Sequence, residues 1–486
     1  MSLSFDPEKL SFRCGHLIGG RFVADIPAMT LERPADGATF AEVPLANATM
    51  VDQAVDAAGL AWKTSGWGQC KPRQRVEAMQ RWAGLIEAHA VELGQLEVTS
   101  STRLIAEVAG DIAVTAEQIR FFAELADKEG GALVPTADRH LGLIVDEPYG
   151  VVGAITPWNF PISMAGWKLA PALAAGNAVV LKPSEMTPFA TMRMVELAAE
   201  AGIPAGLISV VLGDGTVTGN AITSHPGIGK ISFTGSTAAG QAIMANIARS
   251  GVKPMTLELG GKSPQIVFAD ADLDLAADCI SRSIEFNAGQ ACVAGSRLLV
   301  ERPIADALVE KLLKRMGKRR PGPAWEEDTS YSPIISRRQL RRMEGLVAQA
   351  GTEGAEVLTG GHVLDRPGWF YAPTLLDRVA PGSTALREEI FGPVLTIERF
   401  EEEEEAFERA GHSTYGLAAG LYTRDLARAL RGMRRIEAGT LWINRYGRSR
   451  DHILPTGGWK SSGFGKDLGR EAFHANRRTK SVLIDF

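Results

Sequence analysis

Val151-Val152-Gly153-Ala154-Ile155-Thr156-Pro157-Trp158-Asn159-Phe160-Pro161 sets a short apolar run directly before a proline-bracketed turn. The same pattern returns at Ala178–Leu181, Ile208–Leu212 and Ile231–Phe233, each compact, rich in β-branched residues and bounded by Gly or Pro. Apolar residues at helical spacing separate these runs, at Met164–Ala175, Phe189–Ala201 and Thr237–Ala248. Strand–helix alternation of this kind predicts a parallel sheet with helices on its faces. A second series opens near Thr256 and continues through Ile266–Phe268, Leu298–Val300, Val394–Ile397, Leu417–Tyr422 and Thr440–Ile443. Two series predict two α/β lobes, with the cleft between them as the natural place for chemistry.

Outward from this core, the first 60 residues read as short strands with turns, Pro34–Gly37 among them, followed by a helix through Val51–Trp62. Arg73 to Leu125 carries apolar residues at helical spacing, interrupted near Thr99–Thr102, which predicts two or three helices. Arg139–Glu147 and Ser481–Phe486 read as further strands. The chain contains no internal repeat and no low-complexity linker.

With 486 residues the chain exceeds what one ordinary core supports, so two or three domains are expected. Glycine is in surplus, 52 residues against the roughly 34 that average usage of about 7% would give. That suits a fold with many tight turns and close backbone approaches. A net charge of −5 gives no reason to expect a nucleic-acid partner. Lys314–Arg315 and Lys318–Arg320 lie beside acidic neighbours and read as a solvated helix end, while Glu401–Glu405 reads as a helix start. The four cysteines, Cys14, Cys70, Cys279 and Cys292, form no C-x-x-C pair, so neither a zinc site nor a disulfide framework is expected. This usage, with no signal-like start and no apolar run of about 18 residues, predicts a cytoplasmic protein without a membrane span.

Three stretches carry candidate chemistry. In Phe286-Asn287-Ala288-Gly289-Gln290-Ala291-Cys292-Val293-Ala294-Gly295-Ser296-Arg297 a cysteine stands in a turn-like segment between a helix and a strand. A lone cysteine is more often a small buried hydrophobe than a nucleophile. This setting, however, can expose sulfur among backbone N–H groups, the local stabilisation an attacking thiolate needs. Leu257-Glu258-Leu259-Gly260-Gly261-Lys262-Ser263-Pro264 ends a strand with a carboxylate in apolar company. Glu258 is either an outward-facing surface residue or a carboxylate in a partly dry site, where its affinity for protons suits a general base. Asn159 is either a turn asparagine or an amide aimed into the cleft as an oxyanion donor.

Together with Glu388-Glu389-Ile390-Phe391-Gly392-Pro393-Val394, these stretches closely resemble, in order and spacing, the signatures of the NAD(P)-dependent aldehyde dehydrogenase superfamily. The resemblance spans nearly the whole chain. It implies two Rossmann-like, doubly wound lobes with a small β oligomerisation segment: a cofactor lobe of residues 1–128 and 149–257, a catalytic lobe of 258–447, and oligomerisation segments 129–148 and 472–486. It implies Cys292 as nucleophile, Glu258 as the base for deacylation and Asn159 as oxyanion donor, oxidising an aldehyde to its acid through a thioester.

The resemblance also implies NAD as cofactor and leaves NADP open. Lys182 and Glu185 match residues at the adenosine ribose; Glu185 favours NAD because a carboxylate repels a 2′-phosphate, while Lys182 and Ser184 leave room for NADP. Phe233-Thr234-Gly235-Ser236-Thr237-Ala238-Ala239-Gly240 departs from the usual G-x-G-x-x-G fingerprint, but by resemblance Gly235, Ser236 and the helix start face the pyrophosphate. Glu389 and Phe391 match residues at the nicotinamide ribose and ring, and Ile155, Trp158 and Leu259 border the same cleft. No metal ligand set is expected.

Met164 and Trp167 match positions of an aldehyde tunnel, although at helical spacing they equally suit a core. Arg445, Arg448 and Arg450 near the tunnel mouth point to a semialdehyde carboxylate. Glu285, seven residues before Cys292, points instead to an amino- or guanidino-aldehyde. Thr456 stands where the family often has Phe, and 320–332 departs from the family pattern. The matching terminal strands imply a homodimer or homotetramer. Two rivals stand beside this reading: a CoA-acylating dehydrogenase, against which Glu258 speaks, and a scaffold protein without turnover.

Overall fold

The computed structural model describes residues 3–447 and 452–486. The strand Val151–Ile155 is completely buried, as expected for a central parallel strand covered on both faces. Around it a first sheet is ordered Arg21–Val23, His16–Ile18, Ile208–Val210, Ala178–Lys182, Val151–Ile155, Lys230–Thr234, Met255–Glu258 and Gly463–Phe464. The middle strands, from Ile208–Val210 to Met255–Glu258, are parallel, while the flanking N-terminal and C-terminal strands run antiparallel. In chain order the parallel strands read 3-2-1-4-5, a doubly wound arrangement whose order reverses between Val151–Ile155 and Lys230–Thr234. Ligands in such sheets bind beyond the carboxyl ends of the strands at that reversal, where Thr156–Phe160 and Gly235–Ser236 emerge.

One strand is reassigned. The sequence pattern groups the Thr256 run with the second series, yet Met255–Glu258 pairs with Lys230–Thr234 in the first sheet. Alternation along the chain does not show which sheet a strand joins. Hydrogen-bond register does, and the helix Thr237–Ser250 is the crossover between these two parallel strands.

The second sheet is ordered Glu356–Thr359, Thr374–Asp377, Val394–Phe400, Arg297–Glu301, Pro264–Val267, Ala418–Tyr422 and Thr440–Ile443, parallel apart from its first strand. Glu356–Thr359 and Thr374–Asp377 go unread in the sequence because each is only four residues long and shows no alternation. Helices Pro72–Ala88, Ala90–Ser100 and Ile105–Leu125 fill the region where two or three were expected. The helix Glu403–Ala410 opens on Glu403, Glu404 and Glu405, as the acidic run implied.

A separate three-stranded antiparallel sheet joins Ala132–Val134, His140–Pro148 and the C-terminal Arg477–Asp485. Ion pairs of Asp146 with Arg477 and of Glu147 with Lys480 fasten its long strands together. Among the described residues no helix is long and apolar enough to cross a membrane, and no group of three or more His, Cys, Asp or Glu side chains is arranged to hold a metal.

Candidate active site

The loops holding the sequence motifs converge for a topological reason. In the first sheet Thr156–Phe160, Lys182–Glu185 and Gly235–Ser236 leave the carboxyl ends of parallel strands. In the second, Gly260–Ser263, Asn287–Ser296 and Glu388–Pro393 enter the amino ends of three adjacent parallel strands. One sheet's exit edge faces the other's intake edge, and all three chemical motifs lie on this seam.

Gly260 and Gly261 are where the seam is tightest. A β-carbon at Gly261 would come within 2.7 Å of the Cys292 carbonyl oxygen, and one at Gly260 would collide with the Glu389 carboxylate. The Gly261 N–H donates to Glu389 Oε1 at 3.0 Å. The double glycine is therefore a close-approach device that lets the Glu258 strand pass between Cys292 and Glu389. Burial pushes the Glu389 carboxyl up to about 7, against the opposing pull of the Gly261 N–H and the Lys262 ammonium. Lys262 is itself wholly enclosed, and burial brings its amine down to about 7.

Cys292 is partly exposed in the turn before the strand Arg297–Glu301, and like Cys14, Cys70 and Cys279 it forms no disulfide. The neighbouring Val293 carbonyl accepts from the Tyr446 hydroxyl at 2.7 Å. Glu258 ends its strand with 5% of its surface exposed. A β-carbon at Gly457 would lie 2.6 Å from Glu258 Oε1, so glycine there leaves room for the carboxylate. The strand Gly463–Phe464 pairs with Leu257 and Glu258, and Leu259 N–H donates to the Ser462 carbonyl at 3.0 Å. The buried pair Lys168–Asp467, at 2.5 Å, ties this C-terminal segment to the helix Pro161–Ala174.

Asn159 is 5% exposed, and its Nδ2 donates to the Gln290 carbonyl at 3.0 Å. An amide nitrogen carries two hydrogens, so one fixes the side chain and the second is left for an incoming oxygen. Gln290, buried in the cysteine loop, donates to the carbonyls of Asn287 and Pro333 and accepts from Ile335 N–H, each at 2.9 Å.

The candidate cofactor residues form two groups. In the first, Trp158 and Phe391 meet edge to face, with centroids 5.4 Å apart and planes at 89°. Phe391 holds a positive φ of 56°. Its loop is gripped by Gln339, which donates to the Ile390 and Phe391 carbonyls, and by Arg342, which donates to those of Glu389 and Ile390. Both lie on the helix Arg337–Thr352, and sequence reasoning missed them because nothing local marks a helix surface residue as a clamp.

In the second group, Ile155 pairs in register with Lys182, and Lys182 Nζ lies 3.1 Å from Glu185 Oε2. Ser184 is buried and accepts from Met186 N–H. Ser236 caps the helix Thr237–Ser250, its hydroxyl accepting from Ala239 N–H at 3.2 Å, with Gly235 just before it. Leu259 packs against Gly240 on that helix so closely that a β-carbon there would come within 2.6 Å.

The substrate-side expectations divide. Met164 and Trp167 are 9% and 8% exposed on a helix whose residues are all buried. Arg445 is exposed and, among the described residues, donates to the Gly447 carbonyl. Arg448 and Arg450 lie outside the described residues. Glu285, the residue behind the aminoaldehyde expectation, has its carboxylate accepting from Gly317 N–H at 2.9 Å and lying 3.5 Å from Arg319 Nε. Its place at the end of the helix Leu273–Glu285 turns it toward the 317–319 turn. Thr456 pairs with Asp467 as an isolated bridge, and Tyr331, within the divergent 320–332 region, is anchored by its hydroxyl to the Tyr371 carbonyl.

A doubly wound lobe facing a cysteine-bearing loop across a glycine seam defines a two-lobed α/β protein of the dinucleotide-dependent, thiol-bearing kind. The chain belongs to the aldehyde dehydrogenase family, which it matches over residues 23–482. It is 40% identical over 471 residues to DhaS of Bacillus subtilis (strain 168), a protein classed among the aldehyde dehydrogenases, covering 96% of this chain and 95% of that one. It is 38% identical over 478 residues to the cytosolic 10-formyltetrahydrofolate dehydrogenase of Mus musculus, covering 96% of this chain and 53% of that protein, so the chain spans about half the length of this relative. Its fold superposes on indole-3-acetaldehyde dehydrogenase in complex with NAD+ with a TM-score of 0.96 at 38% identity, covering 99% of this chain and 98% of that one.

Proposed function

We propose that this protein oxidises an aldehyde to its carboxylic acid with NAD, NADP remaining admissible, through a thioester on Cys292. The observation that carries the reading is the seam at Gly260–Gly261, where Cys292 and Glu389 both press against the strand that ends in Glu258. The first lobe, 1–128 with 149–257, takes the cofactor role, and 258–447 the catalytic one.

The residues present fit a nicotinamide dinucleotide. Glu389 keeps a carboxylate oxygen beyond the one bonded to Gly261, Gly235–Ser236 opens a helix at the reversal of strand order, and Lys182 with Glu185 ends the neighbouring strand. When bound, the dinucleotide supplies the hydride acceptor for the oxidation. The Cys292 sulfur attacks the carbonyl carbon, and the oxygen that becomes negative accepts from the second Asn159 Nδ2 hydrogen. Once the thioester has formed, Glu258 takes a proton from water, and the resulting hydroxide releases the acid and restores the thiol. Glu258 also supports water over CoA as the resolving nucleophile. A scaffold without turnover has no use for this set of groups held together.

Met164, Trp167, Arg445, Arg448 and Arg450 remain candidates for the aldehyde side, and a semialdehyde keeps the stronger support now that Glu285 is committed elsewhere. We assign the three-stranded sheet to contacts between copies in a homodimer or homotetramer, and the chain to the cytoplasm, where four cysteines that form no disulfide persist. The test is a panel of semialdehydes, aminoaldehydes and aliphatic aldehydes with NAD and with NADP, following reduced cofactor and free acid. Equimolar acid and reduced cofactor, falling at least about a thousandfold in Cys292→Ser, is the expected result. Parental turnover in that variant, or an acyl-CoA product, ends the proposal.

A further inference from the structure

Asn287 belongs to the cysteine loop and has no part in the mechanism above, yet every polar group of its side chain is engaged. Its Nδ2 donates to the Asn159 carbonyl and to the Gln290 carbonyl, both at 3.2 Å. The Gln290 carbonyl is also the acceptor that orients the Asn159 amide, at 3.0 Å. Its Oδ1 accepts from the Thr102 hydroxyl at 2.6 Å, across the junction between helices Ala90–Ser100 and Ile105–Leu125. The backbone requires this residue type as well. Asn287 sits at φ 50°, ψ 30°, a left-handed conformation that asparagine tolerates better than any side chain of bulk.

The neighbouring residues are braced from the same side. Arg103 lies wholly buried with its guanidinium 4.9 Å from the Phe160 ring centroid and 4.7 Å from that of Phe286. Those rings flank Asn159 and Asn287 in sequence, so Thr102 and Arg103 grip both loops at adjacent points. An amide tethered through its own main-chain carbonyl and through its acceptor has little freedom to rotate. We propose that Asn287, held by Thr102, is the positioning residue that aims the Asn159 amide at the developing oxyanion. This rests on the function proposed above and deepens it.

The test avoids the cofactor. A p-nitrophenyl ester acylates a thiolate with release of nitrophenolate, and the tetrahedral stage needs the oxyanion donor but no hydride acceptor. Asn287→Gly keeps the left-handed backbone and deletes the amide. We expect it to slow the nitrophenolate burst about ten- to a hundredfold, the scale of a misaimed donor. In an Asn159→Ala background the same substitution should cost nothing more. Alkylation of Cys292 by iodoacetamide forms no oxyanion and should keep its rate within about twofold, since a donor aimed at oxygen does not act on it. Thr102→Val, which leaves both loop backbones intact, should lose about fivefold in the same burst, the scale of one hydrogen bond. Losses that multiply in the double variant, or an equal fall in alkylation, overturn the assignment to Asn287 alone. An Asn159→Ala burst at the parental rate overturns it too, and takes with it the oxyanion role on which it stands.

Discussion

A half-buried carboxylate at Glu389, with the Gly261 N–H and Lys262 as its compensating groups, gives the site a pH signature. Its carboxyl is pushed up to about 7, so it is neutral below that pH and ionised above it. An ionised carboxylate accepts from ribose hydroxyls more strongly than a neutral acid. Cofactor affinity should therefore rise about fivefold as pH climbs through about 7, and Glu389→Gln should flatten the profile at its weak end. Titrating tryptophan fluorescence with NAD between about pH 6 and 8.5 measures both, and a flat parental profile refutes the assignment. At this scale the motif residues Cys292, Glu258, Asn159 and Glu389 were legible, because chemistry restricts residue type at a fixed place in the chain. Their holders Asn287, Gln290, Gln339 and Arg342 were not, since their partners lie in other segments.

Elements place those residues, and the helix Pro161–Ala174 does so in an unusual way. Its own cap residue, Phe160, offers no side-chain acceptor. Instead Glu97, from the helix Ala90–Ser100, accepts from Ile162 N–H at 3.1 Å and sits at the positive end of the helix dipole. Glu97 is fully buried, and burial, with Asp111 adding to it, pushes its carboxyl up to about 8. Between its ordinary value of 4.5 and about 8 the unfolded chain loses a proton that the folded chain retains. Stability from this group is complete at low pH, declines as pH rises through that window and levels off above it. Glu97→Gln keeps an acceptor for Ile162 and removes the decline. Its melting temperature relative to the parent should climb from about pH 5 to 9; a constant offset across calorimetric scans would contradict this. The helix and strand pattern was readable at this scale, but a cap borrowed from another helix leaves no local trace.

The whole molecule adds a question of assembly. The strand Arg477–Asp485 pairs along its full length with His140–Pro148, and Leu133, Leu483, Ile484 and Phe486 are exposed on or beside this sheet. Among the described residues, Thr440–Ile443 is an outer strand of the second sheet. Open edges and exposed apolar side chains are costly in a lone chain. Light scattering should give a dimer or tetramer, and Leu483→Asp with Ile484→Asp should shift it to monomer while leaving far-ultraviolet circular dichroism unchanged. A parent that scatters as a monomer ends this expectation.

By itself the amino-acid sequence determined that the chain is a two-lobed α/β protein, where most of its central strands run, and which residues bear reactive groups. Periodicity and turn chemistry are local, and a motif's spacing is a property of the chain. Only the tertiary structure decided that Met255–Glu258 joins the first sheet, that Glu285 turns toward Gly317, that Thr102 bonds to Asn287, and that Gln339 holds the Phe391 loop. Those outcomes depend on hydrogen bonds between segments tens to hundreds of residues apart, and a linear pattern records none of them.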